Sequence, residues 1–363
     1  MNNFSDYISD VQRYDPHHTI TPIRALNAGK PEQHFFTTED NVELRLTRFQ
    51  GGNKGPIILS HCIAVSSLMY AIDTIECNLL EYLVNHKYDV WLLDHRLSIE
   101  LPVSALQSTM DDVATLDYPA AVARVCEITK ARAVDVFVHG VGSSTLTMAL
   151  LSGLQNVRKV VCSQVSTHLY SLDLNTNKAK LRLPAWLPYF GKKHLTAFTD
   201  SNAGWCTKLY DASLVFMPVP KHERCNSPVC HRISSIFGEL YEHSQLNIAT
   251  HNALPRMFGR ANLRAMKQLT EMLLANQLIN AKGENSYLPH VQKLALPMLF
   301  ISGTNNDCVL PRSTLETYNL LRSVNGNDLY HRQEIPDYGH VDCVIGQNAS
   351  LDVYPLIVDF LES

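Results

Sequence analysis

The stretch that decides the fold is Val134-Asp135-Val136-Phe137-Val138-His139-Gly140-Val141-Gly142-Ser143-Ser144. An apolar run of strand length stops at a glycine turn and continues into a helical segment, Thr145 to Leu154. A turn of this kind lifts its apex residue above the end of the strand, and a Ser or Cys there would be a nucleophile. The apex residue is Gly140, which has no side chain. The frame of a covalent catalyst is present and the attacking atom is missing.

The same residues also read as Gly140-Val141-Gly142-Ser143-Ser144-Thr145, one position away from a dinucleotide-binding glycine loop. The next strand, Lys159-Val160-Val161-Cys162-Ser163-Gln164, ends without the acidic residue that would hold a ribose hydroxyl. The loop also lies in mid-chain, behind several earlier strands. Dinucleotide binding is therefore not expected.

Working outward, apolar runs alternate with helical segments. Gln33 to Phe49 reads as a hairpin around Glu39-Asp40-Asn41. Pro56 to His61 and Tyr88 to Asp94 read as buried strands. Asn78 to His86 and Asp111 to Thr129 read as helices. The alternation stops near Ser166. It returns with the strand Leu296 to Ser302, then Leu329 to Ile335 and a closing helix, Val353 to Leu361. This pattern predicts an α/β fold, a mostly parallel sheet flanked by helices, with an inserted helical cap. The expected parts are an N-terminal arm at 1–32, a core at 33–165 and 294–363, and a cap at 166–293.

The chain has 363 residues, 45% of them hydrophobic, and a net charge of −4. That charge gives no reason to expect nucleic acid or an anionic membrane surface as partner. No apolar run is long enough to span a bilayer, and no basic-then-apolar leader opens the sequence. A cytoplasmic location is expected. The nine cysteines are scattered and odd in number, which argues for reduced thiols. Cys225-Asn226-Ser227-Pro228-Val229-Cys230-His231 invites a metal reading. No second cysteine pair accompanies it, so buried thiols are preferred and neither metal nor cofactor is expected.

Three places fall at strand ends: Gly140, Gly303-Thr304-Asn305-Asn306-Asp307, and Tyr338-Gly339-His340-Val341-Asp342. Nucleophile, acid, histidine is the chain order of the α/β-hydrolase triad. His340 is the expected general base and Asp307 its orienting acid, with Asn306 as rival for that role.

Further motifs carry a specific resemblance. They include Asn78-Leu79-Leu80-Glu81-Tyr82-Leu83, Tyr118-Pro119-Ala120-Ala121-Val122, Glu223 to Cys230, Gln245 to His251, and Tyr338 to Cys343. From about residue 33 to its end, the chain resembles the α/β-hydrolase-like domain at the C-terminus of some GMC oxidoreductases of the bacterial cholesterol-oxidase type. The resemblance implies the α/β-hydrolase fold and a capped site for a hydrophobic carbonyl compound. His340 carries over. The apex, often Cys in that family, maps onto Gly140. The family tends to show Asn at the position of Asn306. The flavin-binding portion is missing, so flavin chemistry does not carry over.

Several readings of the vacancy follow. Val138, two residues before the apex, would crowd a side chain there, whereas a glycine accepts positive φ. That pairing suits a native glycine better than an inactivating replacement. Cys62, on the loop after the strand ending at His61, is a candidate relocated nucleophile. Ser143 and Ser144 are weaker candidates, because first-turn serines usually hydrogen-bond the helix start. Catalysis without a covalent intermediate is the third reading, with the Val141 N–H, and the loop residues His61 and Ile63, around an oxyanion. His139 adjoins the apex, and Arg96 would bind a carboxylate or phosphate. The expected function is an enzyme acting on a hydrophobic ester, thioester, lactone or related carbonyl substrate. The alternatives are a lyase, cyclase or isomerase, and a non-catalytic binding protein. A homodimer is left open.

Overall fold

The computed structural model describes residues 24–198, 205–214 and 220–363, apart from the side chains at 206, 207 and 222. The core strands follow the apolar runs. β1 (Glu32–Thr37) and β2 (Glu43–Gln50) form the expected hairpin, with Asn41 at φ 62 in its turn. β3 (Pro56–Ser60), β4 (Asp89–Asp94) and β5 (Val134–His139) are buried at every residue, as strands covered on both faces must be. β6 (Val157–Ser163) follows. After the short strands β7 (His194–Thr196) and β8 (Arg260–Asn262), the sheet is completed by β9 (Met298–Gly303) and β10 (Tyr330–Ile335).

Eight strands form one sheet in the order β1-β2-β4-β3-β5-β6-β9-β10. β1, β2 and β4 pair antiparallel, and every other neighbour is parallel. This is the α/β-hydrolase fold. Helices at Leu79–Asn85, Tyr118–Thr129, Val141–Ser152, Arg312–Asn325 and Tyr354–Glu362 pack on the sheet. Asn78 starts the first of them with a capping box closed by Glu81. Glu81 also takes the guanidinium of Arg24. The rest of the expected N-terminal arm, 1–23, lies outside the described residues.

Between β6 and β9, no strand among the described residues joins the large sheet. The chain forms helices there, including Asp173–Lys180, Pro228–Phe237 and Leu263–Ala275, and an antiparallel ribbon of β7 and β8. The sequence reading had only helices and loops here. Strands of three residues are too short to leave a period in the sequence.

One cross-strand pair holds the antiparallel edge to the site. Arg45 of β2 sits opposite Asp94 of β4 and donates to its carboxylate at 2.7 and 3.1 Å. Asp94 also accepts from the Ser67 N–H, the Ser67 hydroxyl and the Ser98 hydroxyl, which ties together the loops after β3 and β4. Both partners are buried. Arg45→Met should cost about 3–5 kcal/mol, because it strands a buried carboxylate. Denaturant unfolding monitored by far-UV circular dichroism measures this. A loss below about 1 kcal/mol would show that Asp94 is held by its other donors alone.

Candidate active site

The strand pairing explains why distant residues meet. β3 lies beside β5 with Ser60 opposite Val138. Cys62 and Ile63 therefore leave the sheet at the same level as Gly140 and Val141. β6 ends beside β5 with Ser163 opposite His139, and β9 and β10 follow in parallel. The loops after these strands open onto one crevice at the carboxyl edge of the sheet, where ligands of open α/β sheets bind.

Gly140 stands at φ 53, ψ −133. Side chains rarely adopt that conformation, and it costs about 1–3 kcal/mol for a residue other than glycine. A Cβ at Gly140 would lie 2.8 Å from His340 Nε2 and 3.1 Å from Cys62 Sγ. These two groups are the obstacle to a side chain. Val138, suspected from the sequence, is a core residue and not among the nearest contacts of that Cβ. Gly142 meets a different demand: a Cβ there would lie 2.5 Å from the His61 carbonyl oxygen. The helix Val141–Ser152 seats against the β3 loop only over a glycine.

His340 is buried, with Nδ1 3.0 Å from Asn306 Nδ2. The orienting residue is thus Asn306, and the expectation for Asp307 is corrected. Asn306 is 1% exposed, whereas Asp307 is only partly buried and its carbonyl accepts from Asn175. A dry position suits a neutral amide better than a carboxylate.

The direction of the Asn306–His340 bond follows from backbone groups that cannot be reversed. The Val309 N–H donates to Asn306 Oδ1 at 2.9 Å. The Gly303 N–H donates to Gln164 Oε1 at 3.1 Å, and the same oxygen accepts from Asn306 Nδ2 at 2.9 Å. Turning the Asn306 amide over would set an NH2 against the Val309 N–H and a carbonyl against Gln164 Oε1. Assigned from this network, Asn306 donates and His340 Nδ1 accepts. A neutral imidazole with a bare Nδ1 carries its proton on Nε2, the nitrogen facing Gly140. A Ser-His-acid triad has the reverse arrangement: the acid takes Nδ1–H and Nε2 is left bare. Burial pushes the pKa of His340 down to about 3, so the ring is neutral at pH 7.

Cys62 reaches the crevice, and its sulfur faces the backbone N–H groups of Val141, Ile63 and Gly142. Burial raises its pKa and these N–H groups act in the other direction, with the net shift upward. Ser143 donates to the carbonyls of Val138 and Ser163, and Ser144 donates to that of Ser166. Both serines are fully committed to the fold. His61 is buried, stacked on His95 at 3.8 Å, with Nδ1 2.7 Å from the Cys62 carbonyl. It does not line the crevice. His139 is buried against His340, ring to ring at 4.9 Å, with Nδ1 near the Ser163 hydroxyl. The ligand role expected for Arg96 is corrected too. Its guanidinium is saturated by Asp40 and Asp117, as a buried cation requires.

The crevice opens into an apolar cavity of about 510 Å³. The sheet contributes Cys62, Ile63, Val141 and His340. The segment between β6 and β9 contributes apolar side chains such as Leu169, Phe237, Phe258, Met266 and Leu273. Lys178 is the one Lys or Arg among the described lining residues. Its ammonium donates to the Ser234 carbonyl, and burial lowers its pKa. Sequence reasoning missed Lys178 and Gln164, since neither sits in a motif. Away from this cavity, Cys225 and Cys230 meet His243 and His251. The sequence reading of the pair as buried thiols holds for Cys230, whereas Cys225 is only partly buried.

No protein-family model matches the chain. It is similar to mouse (Mus musculus) lipase member K, 23% identical, over 91% of this chain and 87% of that one. Among solved structures it is similar to an esterase from Pyrococcus furiosus, with TM-score 0.52, 16% identity, and 95% and 98% of the two chains covered. It is also similar to a thermophilic esterase from Thermogutta terrifontis, with TM-score 0.52, 13% identity, and 91% and 98% covered. At these identities the likeness establishes the fold. Among the described residues, no helix is long and apolar enough to cross a membrane.

Proposed function

We propose that this chain is an enzyme acting on a hydrophobic ester, thioester, lactone or related carbonyl compound, with no acyl-enzyme formed at Gly140. The observation that carries the reading is a histidine that lines an apolar cavity and turns its Nε2–H toward a glycine. In this reading the substrate carbonyl lies in the cavity beside Val141, within reach of His340 Nε2. His340 donates from Nε2 to the oxygen on which charge develops, as a neutral imidazole can. Water, or a hydroxyl of the substrate itself, attacks the polarised carbon, and the proton it loses passes to the departing alkoxide or thiolate as the acyl C–O or C–S bond breaks. The segment between β6 and β9 acts as the cap that excludes solvent and sets substrate shape. The likeness to a lipase, and the resemblance to the hydrolase-like domains of cholesterol-oxidase-type proteins, support an apolar carbonyl substrate.

Three observations weigh against Cys62 as nucleophile. Its thiol is held above the ordinary pKa by burial, and a His340 already protonated at Nε2 cannot take its proton. Its sulfur also rests against the N–H groups that an oxyanion would need.

The test is a panel of long-chain esters, thioesters and lactones, with wild type and Cys62→Ala compared on every substrate turned over. Cys62→Ala should keep activity within about threefold, and an electrophilic ester probe should leave Cys62 unlabelled. Loss of turnover in a folded Cys62→Ala variant, with a thioester adduct on wild-type Cys62, would replace this reading with covalent thiol catalysis. No turnover of any carbonyl compound would leave the fold without the proposed activity.

A further inference from the structure

The strongest unassigned constellation lies in the segment between β6 and β9. Cys225 precedes the helix Pro228–Phe237, and Cys230 lies in its first turn. His243 follows on the next turn, and His251 lies in the short helix Ile248–Asn252. One ligand atom from each of the four lies within 4.8 Å of all the others. None of the four lines the active-site cavity.

The geometry assigns a structural zinc site to Cys225, Cys230, His243 and His251. Two thiolates and two imidazoles are a donor set for tetrahedral zinc. Zinc–sulfur and zinc–nitrogen bonds of about 2.3 and 2.0 Å put neighbouring S and N ligands about 3.5 Å apart in a tetrahedron. Cys230 Sγ and His243 Nε2 are 3.5 Å apart. The other nitrogen of that ring, Nδ1, is 2.5 Å from Glu223 Oε2, the carboxylate–histidine contact that orients metal-ligating imidazoles. The Tyr241 hydroxyl donates to Cys230 Sγ at 3.0 Å, as it would to a ligating thiolate. His251 Nε2 is buried and finds no hydrogen-bond partner among the described residues. An orphaned buried nitrogen costs free energy unless something binds it. Binding Zn²⁺ converts two thiols to thiolates with release of two protons, leaving a neutral cluster. Four protein ligands leave no open position, so the site is structural and not catalytic.

The site has a mechanical consequence. The loop between its ligands is hydrogen-bonded to the loop that carries His340. The Leu240 carbonyl accepts from the N–H groups of His340 and Val341 at 3.1 and 2.7 Å. The Glu242 N–H donates to Asp342, and Gln245 bonds both Gln347 and Asp337. Zinc would therefore fasten this loop, and with it the backbone of His340, whatever reaction the enzyme performs.

The test is elemental analysis of the full-length chain, purified without chelator and without a metal-affinity tag. About one zinc per chain is expected, falling below about one tenth in Cys225→Ser/Cys230→Ser. Chelator treatment should lower the thermal midpoint by on the order of 10 °C, with recovery on adding Zn²⁺. Should the double variant fail to fold, the stripped wild type decides. Refilled with Co²⁺ it should show thiolate-to-cobalt charge-transfer bands and the strong visible bands of a tetrahedral ion. Three results would overturn the site: a metal-free protein that takes up neither Zn²⁺ nor Co²⁺, a Cys225–Cys230 disulfide in the native protein, or full zinc content in the folded double variant.

Discussion

Gly140→Ser combined with Asn306→Asp should create a serine esterase, and Gly140→Ser alone should not. In the single variant the new hydroxyl would face a histidine already protonated at Nε2, which cannot accept its proton. Aspartate at 306 accepts from Nδ1 and bares Nε2. The change has a local cost: the carboxylate oxygen that replaces Nδ2 and accepts from His340 would also face Gln164 Oε1, so the Gln164 amide must turn over. That leaves the Gly303 N–H without its acceptor, a penalty of about 1–3 kcal/mol. The serine adds about 1–3 kcal/mol of backbone strain, and the His340 ring must retreat a few tenths of an ångström from its Cβ. Restoring general-base catalysis should raise hydrolysis of an activated ester roughly 1,000-fold over the single variant. A fluorophosphonate should then label the serine only in the double variant. Equal labelling of the two folded variants would show that Asn306 does not set the state of His340.

His340 itself should separate donor from base. His340→Ala should lower turnover of a true substrate about 100- to 1,000-fold, the cost of removing one hydrogen bond to a developing oxyanion. His340→Gln keeps an N–H donor and has no basic nitrogen, so it should stay within about tenfold of wild type. A base role predicts the same collapse in both. The pH profile carries the same distinction. The folded pKa lies near 3, below the ordinary histidine value, so the ring is neutral from pH 5 to 8 and its donor form is fully populated. Wild-type turnover should show no inflection from His340 in that window, because the ring keeps its proton on Nε2 throughout. A rate that rises through pH 6–7 in wild type and not in His340→Gln would restore the base role.

The fold was legible because its strands are buried on both faces. β3, β4, β5 and β9 are continuous apolar runs, and the glycine turn after β5 announces the sheet's carboxyl edge. The ribbon of β7 and β8 was not legible, because three residues carry no period. At the site, Gly140, Cys62 and His340 were found because they terminate strands, and order along the chain is visible in a sequence. The choice between Asn306 and Asp307 was not, since it turns on which of two adjacent side chains points into the dry interior. The direction of the Asn306 amide depends on the Val309 and Gly303 N–H groups, which exist as partners only in the folded loop. The Cys225 cluster escaped for a similar reason. Cys225, Cys230 and His243 follow a zinc-finger spacing, but seven residues separate His251 from His243, outside the usual range of roughly three to five, and the four converge only when the loop at 238–247 folds back.

The account rests on the proton carried by His340 Nε2. The direct measurement is a ¹⁵N NMR spectrum of the imidazole nitrogens at pH 7, with His340 assigned by its absence in His340→Gln. The predicted result is a protonated Nε2 and an unprotonated Nδ1, with Nδ1 becoming protonated in Asn306→Asp. A wild-type ring that carries its proton on Nδ1 and leaves Nε2 bare would contradict the account and make His340 a base.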